Sequence, residues 1–395
     1  MAKTKPSKTK NQKREKQNLN RAAGKPSKAP SKPANPMELL LKATQCLQEG
    51  DIERAVPLAK KALGLVDIES VEALPALNLL GEVHIELGDI DTARQYFQLA
   101  ASIDENGDLS EKVGGGAEKF LWLAQLSEEG GEDSVGWYEK GAVSLRTHIQ
   151  TLLDMKTLDV EAEASLEEKR RKLAVALCGV VEVYMTDLSW EEDAEQKCET
   201  LVTEATMVAP NYPEPWQTLA NVRLSQERVE DAKAALTRSL DLWKDLPPES
   251  DVVPDFPTKV SLARLLMEAD MDTEAIEVLE RLVGEDDTSV EVWYLGGWGL
   301  YIMGEKQKKG QQETNDDGES WKVSWISSRQ WLNQCLRLFQ QQEYEDERLG
   351  AHAKELLETL NKELGDEGAN PELEEEGEEW EDEDGSDEDA EMDGA

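Results

Sequence analysis

The sequence has few of the residues on which most enzymes depend for catalysis. Its 395 residues contain 3 histidines, and aromatic side chains make up only 6% of the chain. His84, His148 and His352 are each isolated on a predicted helix. His84 falls where the repeat described below places a bulky residue between helices, which favours packing over catalysis. We therefore predict no catalytic residue and no enzymatic activity.

The 4 cysteines are too scattered to form a site. Cys46, Cys178, Cys198 and Cys335 make no C-x-x-C pair and have no histidine cluster nearby. We interpret them as small apolar residues in a reducing compartment, and we predict no metal ligand.

Long apolar runs and phosphate-binding loops are also missing. The longest apolar stretch, residues 293–303, is interrupted by glycines and falls far short of a membrane span. The glycines at 114–116 are not followed by Lys-Ser or Lys-Thr and do not follow a strand, which indicates a plain loop. No apolar run follows the basic start, so we expect no secretory signal. The chain should be a monomer of the cytoplasm and nucleus, without a cofactor or membrane contact.

Negative charge is what the chain has in excess, and it is unevenly distributed. The net charge is −41, from 43 Lys and Arg against 84 Asp and Glu. Residues 1–36 carry +10 and residues 366–395 carry −17, which leaves −34 on residues 37–365. A body of this charge attracts basic partners over roughly 8–10 Å at physiological salt and repels nucleic acid. We therefore expect a basic protein partner, and no nucleic-acid binding by the body.

A helical repeat of about 34 residues organises this body. In its clearest copy Gly81, Ala93 and Ala100 lie where two helices must cross closely, and Gly88 marks the turn. Small residues recur at similar offsets in other copies, namely Ala43, Ala55, Ala62, Ala220, Ala232, Ala263 and Ala275. No segment shows the alternation typical of a strand. The spacing predicts an all-α, tetratricopeptide-type α-solenoid of about seven pairs of helices, each about 12–15 residues long. A non-repetitive helical bundle is the alternative.

The remaining copies fit the repeat less well, and they set the predicted boundaries. We expect a polar insertion at 305–320 to interrupt the second helix of the seventh pair. Segments 321–342 and 344–364 should form terminal helices that cap the core. The predicted domains are a disordered basic tail (1–36), a superhelix with capping helices (37–365) and a disordered acidic tail (366–395).

The first helix of each pair lines the concave groove of such an array, so equivalent positions of successive repeats lie side by side. Polar residues at or near these positions are candidates for partner binding: Asn78, Glu82, Glu86, Glu129, Glu182, Glu214, Asn221 and Glu268. Carboxylates suit Lys and Arg, and amides suit a peptide backbone. Each acid alone also fits an ordinary solvated helix face, but the charge of the body favours a negative groove.

The two tails have opposite charge and different expected roles. The lysines and arginine between Lys3 and Lys16 resemble a nuclear import signal, although such blocks also occur as ordinary basic arms. We expect an import receptor to bind there. The acidic residues at 372–393 could shield a basic partner or simply keep the chain soluble.

Three segments together resemble one known family. They are LGEVHIELGDIDTARQYFQLAASID at 80–104, APNYPEPWQTLANVRLSQ at 209–226 and WEDEDGSDEDAEMDGA at 380–395, in a chain with a Lys-rich start. This order of parts is similar to that of the fungal assembly chaperones dedicated to the fourth protein of the large ribosomal subunit. The resemblance implies that the groove binds the Lys/Arg-rich internal loop of the newly made protein. It also implies escort into the nucleus, release to pre-ribosomes and no catalytic site.

Two other binding functions remain open at this stage. A co-chaperone that captures the acidic C-termini of heat-shock chaperones would carry groove lysines beside its asparagines. Asn78 and Asn221 are present here, but the lysines are missing and Glu82 and Glu182 stand nearby. A carrier of histones would share the acidity and the nuclear entry.

Overall fold

The computed structural model describes residues 35–155, 157–314 and 320–365, and this part of the chain forms fifteen α-helices and no strand. The predicted all-α class is confirmed. The acidic tail, and the basic tail up to residue 34, lie outside the described residues. The chain divides after Leu126 into two compact units.

The described residues of unit 1 form five α-helices with well-defined ends. They are α1 (Pro36–Gln48), α2 (Ile52–Leu63), α3 (Leu74–Glu86), α4 (Ile90–Ile103) and α5 (Glu118–Gln125). Pro36 occupies the first position of α1, and the side chain of Asn35 accepts a hydrogen bond from the Met37 N–H at 3.1 Å. Asp51 and Asp89 cap α2 and α4 in the same way. These caps satisfy backbone donors that the helices themselves leave unpaired.

Small residues bring the helices of unit 1 together as the repeat predicts. Ala43, Ala55 and Ala62 are buried in one cluster between α1, α2 and α3. In the second pair, Ala93 and Ala100 are fully buried on α4. The predicted crossing registers of the first two repeats are therefore confirmed.

A buried ion pair holds the loop that leads from α4 to α5. Lys119 donates to the Asp104 carboxylate at 2.7 Å, and both side chains are almost wholly buried. The same carboxylate accepts from the backbone N–H groups of Leu109 at 3.2 Å and Gly116 at 3.0 Å. The glycine segment is thus a loop, as predicted, and one carboxylate organises it.

Ten α-helices lie in the part of unit 2 that the structure describes. They are α6 (Gly131–Leu153), α7 (Val160–Met185), α8 (Ala194–Val208), α9 (Pro213–Ser225), α10 (Val229–Asp241), α11 (Phe256–Glu268), α12 (Asp272–Glu285), α13 (Val290–Thr314), α14 (Ser320–Gln341) and α15 (Glu347–Leu364). The helices α7 and α8, α9 and α10, and α11 and α12 pack as pairs, and each pair packs on the next.

Several helix lengths differ from the prediction. α6 has 23 residues and α7 has 26, both longer than the repeat suggests. Residues 161–173 consist mostly of strong helix formers without glycine or proline, so α7 starts well before its repeat segment. The insertion expected at 305–320 was also placed wrongly: α13 continues through it to Thr314, and α14 is the second helix of that pair.

The last helices of unit 2 close its core, as predicted. Gly297 lies so close to α14 that an added Cβ would be 2.6 Å from Cγ of Leu332. The Trp325 indole stacks on Tyr301 with ring centroids 5.6 Å apart and donates to the Tyr301 carbonyl at 3.1 Å. α15 then packs its leucines against α14 in the same cluster.

Candidate functional site

The first helices of four successive pairs in unit 2 form one continuous layer. α7 packs against α9, α9 against α11, and α11 against α13. We call the surface of this layer the A-helix face of unit 2. Three of the predicted partner-binding acids and one amide lie on its helices: Glu182, Glu214, Asn221 and Glu268.

The structure brings Glu182 on α7 and Glu214 on α9 together. Glu182 keeps contact with solvent, yet desolvation by the surrounding protein and the nearby Glu214 carboxylate raise its pKa. Desolvation also raises the pKa of Glu214, which is half-buried. Between these helices, burial raises the pKa of the Cys178 thiol to about 12, and both carboxylates contribute to the shift. Two carboxylates, the exposed Glu182 and the half-buried Glu214, thus lie near enough for their charges to interact.

The same place contains three residues that sequence reasoning did not select. The Tyr212 hydroxyl donates to Glu214 Oε1 at 2.9 Å, and the Arg171 guanidinium lies 5.1 Å from the centre of the Tyr212 ring. Asp255 also raises the pKa of Glu214, whereas Tyr212 and Arg171 lower it. Arg171 lies in the N-terminal part of α7, before the repeat segment. It reaches this place because α7 is longer than the repeat requires. We call Arg171, Glu182, Tyr212, Glu214 and Asp255 the acidic cluster, since it holds three carboxylates and one cation.

The other two predicted residues of this face lie farther along it. Asn221 is half-buried on α9, and Glu268 is exposed as the last residue of α11. Beyond them, Arg264 is paired with Glu291, and both line a cleft of about 350 Å³ together with Tyr294, Tyr344, Asp346, Arg348 and Leu349. Arg264 is therefore paired with an acid of the neighbouring helix α13.

In unit 1 the predicted residues Asn78, Glu82 and Glu86 lie one turn apart on α3. The Asn78 side-chain amide donates to the Gly114 carbonyl at 2.8 Å, so Asn78 stabilises the loop before α5. Glu82 is half-buried and Glu86 is exposed. A role for these three residues in partner binding stays a prediction.

Glu129 differs from its predicted position. It was expected at or near a first helix, but α5 ends at Gln125 and Glu129 lies on the exposed connection before α6. The connection that follows ends at Gly130 and Gly131, both with left-handed φ angles, of 62° and 48°, where α6 begins. Glu129 is thus not on a first helix, and its predicted contact remains untested.

The described residues hold no group of three or more His, Cys, Asp or Glu side chains that could bind a metal ion. The four cysteines are free thiols, three of them buried. Among the described helices, none combines the length and apolar character needed to cross a membrane.

Comparison with known proteins gives three relatives of similar description. A family model of the tetratricopeptide repeat matches residues 74–106, which include α3 and α4. The chain is 46% identical over 383 residues to a protein of Emericella nidulans named "Probable assembly chaperone of rpl4", covering 96% of this chain and 94% of the relative. A protein of Schizosaccharomyces pombe with the same name is 34% identical over 323 residues, covering 82% and 90%. A solved structure of residues 1–338 of an assembly chaperone of RpL4 is 58% identical and covers 70% of this chain and 100% of that chain, with a TM-score of 0.66.

Proposed function

Because the chain belongs to the family of assembly chaperones of rpl4, we propose that it binds the newly made ribosomal protein through a Lys/Arg-rich internal loop. The A-helix face of unit 2 is the proposed contact surface, with the acidic cluster at its centre. It acts by binding alone, without catalysis. The bound loop is shielded from stray RNA contacts and aggregation until delivery to the pre-ribosome.

The observation that carries this proposal is the pairing of Glu182 with Glu214. Desolvation raises the pKa of each carboxyl, and the Glu214 charge raises that of Glu182 further, so keeping both groups charged costs folding stability. Residues that are unfavourable for the fold itself are typical of functional sites. A Lys or Arg from a partner would relieve the repulsion and restore the hydrogen bonds lost with water.

The charge of the whole body supports the same partner. Residues 37–365 carry −34, so the long-range field draws in cationic segments and repels RNA. Arg171 and Arg264, which lie on first helices, are themselves next to acids: Glu214 in one case and Glu291 in the other. A groove that clamps an acidic C-terminus needs free cations, so that function is less well supported.

The test is a charge reversal with a matched control. Binding of a peptide of the Lys/Arg-rich loop to the full chain is measured by isothermal titration calorimetry at physiological salt. The double variant Glu182→Lys with Glu214→Lys should bind this peptide at least about tenfold more weakly than the unmodified chain. The control, Glu230→Lys with Glu280→Lys, makes the same charge change on the second helices α10 and α12, where both acids are exposed. It should lose far less affinity.

Helical circular dichroism should be the same for both double variants. Equal losses in the two would mean that only net charge matters and that the contact is not on the A-helix face. Pull-down of newly made proteins would further show whether histones or heat-shock chaperones bind instead.

A further inference from the structure

An exposed tryptophan lies beside a cleft at the ends of α7, α8 and α9. Trp190 is 73% exposed, in the connection between α7 and α8. The cleft of about 480 Å³ is lined by Tyr184, Met185, Ser189, Ala194, Glu195, Cys198, Val222, Ser225, Gln226 and Glu227. Its lining includes none of the acidic cluster. Ser189, the residue before Trp190 in the chain, is one of the lining residues, so the backbone of Trp190 adjoins the cleft.

The connection that presents Trp190 is held by backbone hydrogen bonds. Leu188 donates to the Val183 carbonyl at 3.0 Å, Glu191 to Leu188 at 3.1 Å, and Ala194 to Glu191 at 3.1 Å. Leu188 is buried beneath it. A tryptophan on a fixed turn loses little conformational entropy when a partner binds, which is why such residues are frequent energetic centres of interfaces.

The chemistry around the indole is acidic. Exposed carboxylates flank Trp190 on both sides in the sequence: Asp187, Glu191, Glu192 and Asp193. Asp193 is paired with Lys197, and Asp187 accepts from the Gly131 N–H at 3.1 Å. Glu191 and Glu192 are thus the two whose charge is available to a partner. An indole face next to carboxylates is the combination that holds Lys or Arg, by cation–π contact and ion pairing.

The cleft favours an apolar side chain in the bound partner. Met185 is half-buried, and Ala194 and Val222 are buried, so together they give the cleft an apolar surface next to the polar groups of Glu195 and Gln226. Methionine adapts to the shape of an inserted side chain. A medium-sized aliphatic side chain therefore suits the cleft.

From this geometry we propose a second polypeptide-docking site, formed by Trp190, Glu191, Glu192 and the adjoining cleft. Its occupant is an extended segment of another protein in which Arg or Lys flanks Leu, Ile or Val. The cation stacks on the Trp190 indole and pairs with Glu191 or Glu192, while the aliphatic side chain enters the cleft. An anionic lipid surface or a nucleic acid is repelled by the same carboxylates. This site goes beyond the proposed function, since it acts independently of the A-helix face.

Fluorine NMR of the full chain, labelled with 5-fluorotryptophan, tests the site directly. The Trp190 signal is the one lost in Trp190→Phe. A synthetic peptide with Arg on both sides of Leu should shift it, whereas the same peptide with Glu for Arg, or Gly for Leu, should not. Glu191→Gln with Glu192→Gln should weaken binding at this signal by about three- to tenfold. Glu182→Lys with Glu214→Lys should leave the shift intact, which separates this site from the proposed function.

Three results would overturn the proposal. One is a Trp190 signal that no basic peptide moves. Another is a signal that shifts with protein concentration alone, which would make a second copy of the chain the occupant. The third is a signal that changes on deletion of residues 1–34, which would assign the site to the chain's own basic tail.

Discussion

Gly81 on α3 lies against the ring of Phe97 on α4 so closely that an added Cβ would be 2.4 Å from Cζ of that ring. Phe97 is 1% exposed and cannot swing away into solvent. The close crossing of these two helices therefore depends on the absence of a side chain at residue 81.

We predict that Gly81→Ala lowers the free energy of unfolding by about 1–3 kcal/mol, because overlap with the buried ring outweighs the gain in helix propensity. Urea denaturation followed by circular dichroism measures the change. Gly136→Ala is the control: Gly136 is an exposed position inside α6 with no atom within 4 Å of an added Cβ. That variant should gain up to about 1 kcal/mol. Equal stabilisation of both variants would refute the crowding at Gly81.

Replacing Lys119 by Met should destabilise unit 1 by about 3–5 kcal/mol, because Asp104 is left charged and buried. Thermal unfolding measures this loss. Adding Asp104→Leu should recover only part of it, since the backbone donors of Leu109 and Gly116 then lose their acceptor. Full recovery in the double variant would show that the carboxylate does not organise this loop.

The pH dependence of this pair has a defined sign. Burial tends to raise the pKa of Asp104, but the hydrogen bonds from Lys119, Leu109 and Gly116 outweigh it and hold the pKa below its ordinary value. The pair's contribution is therefore present above the ordinary aspartate pKa of about 3.9 and is lost as the pH falls through the lower folded value.

Affinity for a basic peptide should fall as the pH is lowered from 7 towards 5, earlier than ordinary glutamates with a pKa of about 4.3 would allow. The reason is that Glu182 and Glu214, with their raised pKa values, take up protons first and lose the charge that attracts the peptide. A histidine-free peptide of Lys, Arg and Gly keeps the charge of the probe constant. Titration should show about three- to tenfold weaker binding.

The control for this pH dependence is Glu182→Gln with Glu214→Gln. This variant should bind weakly at pH 7 and change little between pH 7 and pH 5. A wild-type affinity that is flat over the same range would mean that neither carboxyl contacts the peptide.

Deletion of residues 1–20 should reduce nuclear accumulation and leave affinity for the basic peptide unchanged. The deleted segment contains the lysines between Lys3 and Lys16, which we propose as the import signal, and carries none of the acids of the A-helix face. Fluorescence microscopy of a tagged chain, with the same lysines replaced by Gln as a second variant, measures the distribution. Normal nuclear levels in both would remove the import role.

The fold class and the best helix crossings were predictable because they rest on local spacing. Gly81, Ala93 and Ala100 recur at offsets that only close helix pairs require, and all three are fully buried or nearly so. Helix length was less predictable. α6 and α13 run past their repeat segments, and α7 starts before its own, because the sequence outside the repeat pattern still favours helix.

The acidic cluster was only half predictable for the same reason. Glu182 and Glu214 follow from their positions in the repeat, but Arg171 reaches the cluster only through the added turns of α7. Trp190 was not selected at all, because a connection between helices has no repeat position from which exposure can be judged. Asn78 shows the converse: its position fits a groove, yet its amide is used inside unit 1.

α15, the last helix of the described residues, has one apolar and one charged face. Every leucine of α15 is turned inward, whereas its outer surface presents Lys354, Glu355, Glu358 and Lys362 among the described residues. A neighbouring molecule that approaches α15 meets hydrated charges of both signs. It finds no exposed apolar face there on which another helix could pack. A polar surface of this kind on α15 disfavours the end-to-end stacking to which molecules built from repeated helix pairs are prone.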